Sequence, residues 1–162
     1  MISKKMAKEI NDQIQRELFS EYLYLQMAAF FKGENFDGMA KWMTIQAKEE
    51  HSHAMKFFEF LYERGENVIL QKIDSPKNDF KSVLEVFKYA YGHELTVTKN
   101  INNLMALAKK ENDYASESFL KWYVDEQVEE EASFDKIVKI LQKIKDSGNG
   151  LIMLDKQLGK RE

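Results

Sequence analysis

Apolar residues recur along this chain at three- and four-residue spacing in four long runs, the period of one helix face. Seven-residue steps stay close to one face over a few turns. Along them Ile10, Glu17, Tyr24 and Phe31 share a stripe, as do Phe36, Met43, Glu50 and Phe57, with His53 one turn beyond Glu50. A third stripe is Phe80, Phe87, Glu94, Ile101 and Ala108. The fourth is Leu120, Gln127, Phe134 and Leu141, beside Tyr123, Glu130, Ile137 and Ile144. Cap and breaker residues bound the predicted helices. Ser3 opens one that runs to about Lys32, broken by Gly33 and Asn35, and Asp37 caps a second that runs to about Arg64 and ends at Gly65. The third is expected from about Asp79 to Lys110 and the fourth from about Asp113 to Asp146. Gly148-Asn149-Gly150 is expected to stop the fourth. LIMLDKQL then predicts a fifth helix, too short to persist alone and expected to pack against neighbouring subunits around a symmetry axis.

The connections set the topology. Helices one and two, and three and four, are joined by short loops and should form antiparallel hairpins. Between helices two and three lie Glu66 to about Asp79, including Pro76, the only proline. Fully extended, that segment reaches about 46 Å, while a helix of about 28 residues is about 42 Å long. It can span the bundle from end to end. The expected fold is therefore all-α: a four-helix bundle over residues 4–146 with one long crossover at 66–79, plus a short C-terminal helix at 151–160, in one domain covering 1–162.

Composition agrees and removes several function classes. The 162 residues suit one well-buried core. At 44% hydrophobic and 31% charged, the chain is neither disordered nor collagen-like. It has no cysteine, so thiol catalysis, disulfides and thiolate metal sites are excluded, and any metal must be held by oxygen and nitrogen. No apolar run resembles a signal peptide or a membrane span, which predicts a cytoplasmic protein with no membrane partner. With a net charge of -3 and scattered basic residues, no nucleic-acid partner is expected.

Each inward stripe is apolar except near its middle. There Glu17, Glu50, His53, Glu94, Gln127 and Glu130 stand at comparable heights and should converge in one polar pocket. A lone carboxylate on such a stripe is usually a solvated edge residue or an ion-pair partner. Four ionised carboxylates in one cavity would instead repel unless protons or cations were present, and two divalent ions balance four glutamates. Carboxylate and imidazole without sulfur suit iron(II), manganese or adventitious zinc; iron is the working choice. Glu50, facing three other helices, is placed to bridge two ions with its two oxygens. A metal-free polar network that fixes helix register remains the alternative from a different class.

The set Glu17, E-x-x-H at Glu50 and His53, Glu94, and Q-x-x-E at Gln127 and Glu130 resembles the ferroxidase centre of prokaryotic non-haem ferritins. The resemblance extends over essentially the whole chain, crossover and fifth helix included. It implies one iron held by Glu17, Glu50 and His53 and another by Glu50, Glu94 and Glu130, with Gln127 as a neutral hydrogen-bonding neighbour. It further implies a homo-oligomeric shell of twenty-four subunits that oxidises iron(II) with O2 or peroxide and stores a ferric mineral. Bacterioferritins and rubrerythrins carry E-x-x-H on two helices, whereas this chain has it once. Ser52 stands where bacterioferritins place a haem-ligating methionine, so no haem is expected. A non-storage di-iron oxidase or peroxidase is the other enzymatic reading.

Glu49, Glu126 and Glu129 resemble the third iron site of bacterial ferritins, against the usual reading of such runs as solvated faces. Glu131 is read as solvated. By the same resemblance Tyr24, one heptad after Glu17, is a one-electron donor, and as a core tyrosine it would bond a carboxylate. Trp42 and Trp122 read as packing residues. His51 and His93 are expected at the surface or at an interface, pointing away from the pocket.

Overall fold

The computed structural model describes residues 1–145 and 147–162. Five α-helices account for nearly all of it: α1 (Lys4–Gly33), α2 (Asp37–Glu63), α3 (Val83–Glu111), α4 (Tyr114–Ile144) and α5 (Gly148–Leu158). No strand forms among the described residues. The α1–α2 and α3–α4 hairpins pack into a four-helix bundle, and α5 lies across one end against α2 and α4. The expected topology, with a single long crossover between the hairpins, is the one observed.

Local chemistry sets most boundaries. The Ser3 hydroxyl accepts from the Met6 amide at 2.9 Å, and the Asp113 carboxylate accepts from the Ser116 amide at 3.2 Å; each caps its helix. Helix α2 ends before Gly65, whose φ of +79° suits a residue without Cβ. Asn112 closes α3 in the left-handed region at φ 55°.

Four boundaries differ from those expected. Helix α3 starts at Val83, not near Asp79, because Ser82 and Glu85 form a reciprocal cap. Ser82 Oγ accepts from the Glu85 amide at 3.1 Å, and Glu85 Oε2 accepts from the Lys81 amide at 2.8 Å. Phe36, not Asp37, holds the N-cap position of α2, without a side-chain cap bond. Asp37 sits in the first turn and pairs with Lys32 at 2.6 Å. The Gly148-Asn149-Gly150 run is not the break but the first turn of α5, capped by Ser147 Oγ accepting from the Gly150 amide at 3.2 Å. The break falls at Lys145, φ 50°. The expected end of the fourth helix at Asp146 lies outside the described residues.

The crossover runs beside α1 in the same direction. Lys4 pairs with Glu66 at 2.9 Å, Asn11 Oδ1 accepts from the Ile69 amide at 2.7 Å, Asp12 Oδ1 accepts from Gln71 at 2.6 Å, and Gln15 donates to the Lys72 carbonyl at 3.3 Å. Phe80 arrives at the far end and is buried beside Phe30, ring centroids 6.0 Å apart. Polar side chains of α1 thus satisfy backbone that would otherwise lack ladder partners. At the starting end, Arg64 binds both carboxylate oxygens of Asp113, at 3.1 and 3.2 Å, fastening α2 to α4.

Two apolar clusters fill the bundle. One, around Phe31, Met43, Phe87 and Phe134, lies toward α5; the other, around Ile10, Phe57, Ile101 and Leu120, lies toward the opposite end. Between them sits a buried polar layer containing Glu17, Glu50, His53, Glu94, Gln127 and Glu130. Of the expected stripe residues, only Phe36 and Ile144 remain partly exposed.

Helix α5 finds neighbours within its own chain. Leu154 and Leu158 are buried in the core, and Asp155 Oδ1 accepts from the Met39 amide at 2.8 Å. Ile152 and Met153 stay exposed. Close approach requires glycine here: a Cβ on Gly38 would lie 1.9 Å from the Asp155 carbonyl oxygen. Gly38→Ala is therefore expected to push α5 off α2 and lower stability by about 1–3 kcal/mol, the usual cost of overpacking. Thermal unfolding checks this, and an unchanged melting temperature would show that α5 docks without that contact.

Candidate metal centre

The polar layer brings together residues from all four long helices. Helix α1 supplies Glu17, α2 supplies Glu50 and His53, α3 supplies Glu94, and α4 supplies Gln127 and Glu130; each is no more than 6% exposed. One ligand atom from each of Glu17, Glu50 and His53 lies within 4.8 Å of the others, the only such trio of possible metal ligands among the described residues. The His53 ring nitrogen Nδ1 is 3.5 Å from Glu50 Oε2, and the three-residue spacing on α2 produces that approach. Tyr123 donates to the His53 carbonyl at 2.8 Å, holding that turn against α4.

The other carboxylates are held by donors. Gln127 Nε2 donates to Glu94 Oε2 at 3.0 Å and lies 3.3 Å from Thr98 Oγ1. Tyr24 donates its phenol proton to Glu94 Oε1 in a very short contact, and its ring stacks on Phe134 at 5.7 Å. Gln46 Nε2 donates to Glu130 Oε2 at 2.9 Å and reaches Glu50 Oε1 at 3.4 Å. Gln13 Nε2 donates to Glu17 Oε1 at 2.7 Å. Glu17 Oε2, by contrast, is buried with no hydrogen-bond partner among the described residues. A buried carboxylate oxygen without a donor is costly. Glu17 also lies beside Glu50 and His53, and the all-oxygen-and-nitrogen donor set suits iron(II).

Electrostatics point the same way. Burial, then the Glu50 charge, pushes the Glu17 carboxyl up to about 8. Burial raises Glu94 to about 7, and burial with the Glu94 charge raises Glu130 to about 7. Glu50 is pushed well above the carboxylate range by burial and by its neighbours Glu94 and Glu130. Without a cation these groups hold protons; divalent cations replace those protons as counter-charge. Burial, followed by the Glu94 and Glu50 charges, likewise raises Tyr24, which stays a phenol.

Several neighbouring residues differ from expectation. His93, expected at the surface or at an interface, is half-buried: it packs between α1 and α3, bonds Ser20 Oγ at 2.7 Å, and burial lowers it to about 4. His51 is exposed beside Glu21, 3.0 Å away. Glu131 is not simply solvated, because Thr98 donates to it at 2.5 Å. Trp42 packs in the core, whereas Trp122 is 38% exposed, under the Lys56 ammonium and 5.3 Å from the His53 ring. Of the third-site candidates, Glu129 is exposed, Glu126 half-buried, and Glu49 ion-paired with Arg161. Sequence reasoning overlooked Gln13, Gln46 and Arg161. The two glutamines carry a readable signal, since each precedes a candidate ligand by four residues on the same helix face; Arg161 carries none.

Comparison with known proteins places this geometry. The family model described as a ferritin-like domain matches residues 7–144. The bacterial non-heme ferritin of Staphylococcus aureus strain MRSA252 is 40% identical over 161 residues, covering 99% of this chain and 97% of that protein. Its counterpart from Staphylococcus epidermidis RP62A is 41% identical with the same coverage. An open-pore ferritin from the hyperthermophilic archaeon Archaeoglobus fulgidus superposes with a TM-score of 0.99 at 44% identity over all of both chains. A humanized archaeal ferritin gives 0.99 at 45%, over 100% of this chain and 98% of that one.

The raised carboxyls fix a sign for stability. A carboxyl whose folded value lies above its unfolded value near 4.5 favours folding while protonated, and that contribution is lost as pH rises through about 7 to 8. The metal-free protein should therefore melt higher at pH 6 than at pH 8. Glu17→Gln, which keeps the shape without the charge, should stabilise the metal-free protein at pH 8 by about 1–3 kcal/mol, with a smaller gain at pH 6. Thermal unfolding at both values checks this, and a parent protein more stable at pH 8 would contradict it.

Proposed function

This chain belongs to the ferritin family, and from that premise we propose how its buried centre works and what surrounds it. The protein stores iron and has ferroxidase activity: it takes iron(II) as substrate, oxidises it, and keeps the ferric product inside an oligomeric cage. In our assignment Glu17, Glu50 and His53 receive one iron(II), and Glu50, Glu94 and Glu130 receive the second. Glu50 bridges the pair. The observation that carries this reading is the buried approach of Glu17, Glu50 and His53, with one Glu17 oxygen left without a donor among the described residues.

Each residue then has a stated task. Four glutamates balance two divalent ions, and the protons they hold beforehand leave as iron enters. Two iron(II) ions each give one electron to O2, which with two protons becomes hydrogen peroxide, so no one-electron oxygen product is released. Gln127 stays neutral and orients Glu94. Tyr24 orients the other Glu94 oxygen and would give one electron, with a third iron(II) giving a second, to reduce that hydrogen peroxide to two waters with two further protons, its own phenol proton leaving along the existing bond to Glu94. Glu126 and Glu129, with Glu49 once it is free of Arg161, would hold a third iron beside the centre.

The wider setting belongs to the same reading: one ferritin-like domain over residues 1–162, a shell of twenty-four subunits, and a cytoplasmic location. Among the described residues no helix is long and apolar enough to cross a membrane.

Aerobic addition of iron(II) followed by size-exclusion chromatography tests the reading. A large particle that turns amber and retains iron is expected. Rapid oxidation by a small particle retaining only a pair of irons per subunit would instead identify an oxidase without storage. Glu50→Gln should slow the fast phase of oxidation more than about tenfold, because it weakens both iron positions at once. A Glu50→Gln variant oxidising at the parent rate would mean that the buried layer is only a register-fixing network.

A further inference from the structure

Arg161, beyond the end of α5, is distant in sequence from every candidate ligand yet reaches the buried layer. Its guanidinium lies over the Trp42 ring, 4.5 Å from the centroid. One arm donates to Gln46 Oε1 at 2.8 Å, and the other donates to Glu49 Oε2 in a very short contact. Gln46 is fully buried, and its amide nitrogen donates onward to Glu130 at 2.9 Å and to Glu50 at 3.4 Å. The chain of donors runs from guanidinium to amide to two carboxylates on different helices.

We propose that Arg161 is a positioning residue for the second iron: it fixes the orientation of the Gln46 amide, which in turn aims Glu130 and Glu50. This rests on the assignment of Glu50, Glu94 and Glu130 to that iron. An amide has one accepting end and one donating end. With Arg161 on the oxygen, only the NH2 end faces the carboxylates. Without it the amide is free to turn, and its oxygen would then face Glu130, oxygen against oxygen. A forked, planar guanidinium can hold Gln46, Glu49 and the Trp42 face together, which a lysine ammonium cannot. Helix α5 does not need Arg161 to dock, since Leu154, Leu158 and the Asp155–Met39 bond already hold it. What the arginine adds is orientation of the buried amide. Glu17 and His53, at the first iron, receive nothing from this chain of bonds, and the bridging Glu50 receives only its longer 3.4 Å member, so the larger effect falls on the second position, whose Glu130 takes the 2.9 Å bond.

Calorimetric titration of zinc(II), a redox-inert stand-in for iron(II), into the metal-free full-length protein tests this. The parent should show two binding classes, and the class lost in Glu130→Ala is the second position. Arg161→Ala should weaken that class by about tenfold, as loss of an outer-shell orienting bond does, and change the first by less than about twofold. Gln46→Ala should give the same selective loss even if Arg161→Ala assembles poorly. Arg161→Ala should add nothing in a Gln46→Ala background. Unchanged zinc binding, equal weakening of both classes, or a full additional loss in the Gln46→Ala background would overturn the proposal. If the parent itself bound no pair of zinc ions, the two-iron assignment would fail first and this inference with it.

Discussion

Placing four carboxyls in the buried middle of a helical bundle is the constraint on which the rest of the structure depends. Water would solvate each carboxylate far better than the interior does, and every one repels the others. Protons relieve that repulsion when no cation is present, and in the proposed reading divalent ions take their place. The ionised centre without a cation is the unfavourable condition. The protein does little to relieve it, for Glu17 Oε2 has no donor at all. Fold stability and function pull against each other here, as is usual where a site must keep an open ligand position.

The surroundings make that constraint tolerable. Apolar clusters above and below the polar layer, rich in interlocked aromatic rings, supply the burial that holds four helices at fixed spacing. Neutral donors are then distributed unevenly. Tyr24 and Gln127 serve Glu94, and Gln46 serves Glu130, whereas Glu17 receives only Gln13 on one oxygen. Glu94 and Glu130 are thus oriented by neutral groups, whereas one Glu17 oxygen has no donor among the described residues. Helix α5 and the residues after it join this arrangement because Gly38 and Gly159 let two backbones meet closely beside Trp42.

Several features look alike in sequence but behave differently once packed. His51 and His93 both precede or follow a candidate ligand directly, yet one is exposed and the other is enclosed by Ser20, Phe19 and Tyr24. Glycines that read as a helix stop after α4 instead begin α5, because Ser147 caps the Gly150 amide and the chain turns at Lys145, whose φ is 50°. The third helix, expected from about Asp79, begins at Val83 because Ser82 caps the Glu85 amide and Glu85 in turn accepts from the Lys81 amide.

What the sequence alone determined is whatever repeats with the period of a helix. Four stripes at seven-residue steps give four helices, their inward faces, and the height at which Glu17, Glu50, His53, Glu94, Gln127 and Glu130 interrupt them; loop lengths give the hairpins and the crossover. Those are local properties, written in spacing and reach. Which oxygen of each carboxylate has a donor, the burial of His93, the docking of α5 on its own chain, and the approach of Arg161 to Gln46 were decided only by the tertiary structure. Each depends on contacts between residues far apart in the chain, such as the 115 positions separating Gln46 from Arg161, and no periodic signal along one helix encodes the side chain that arrives from another.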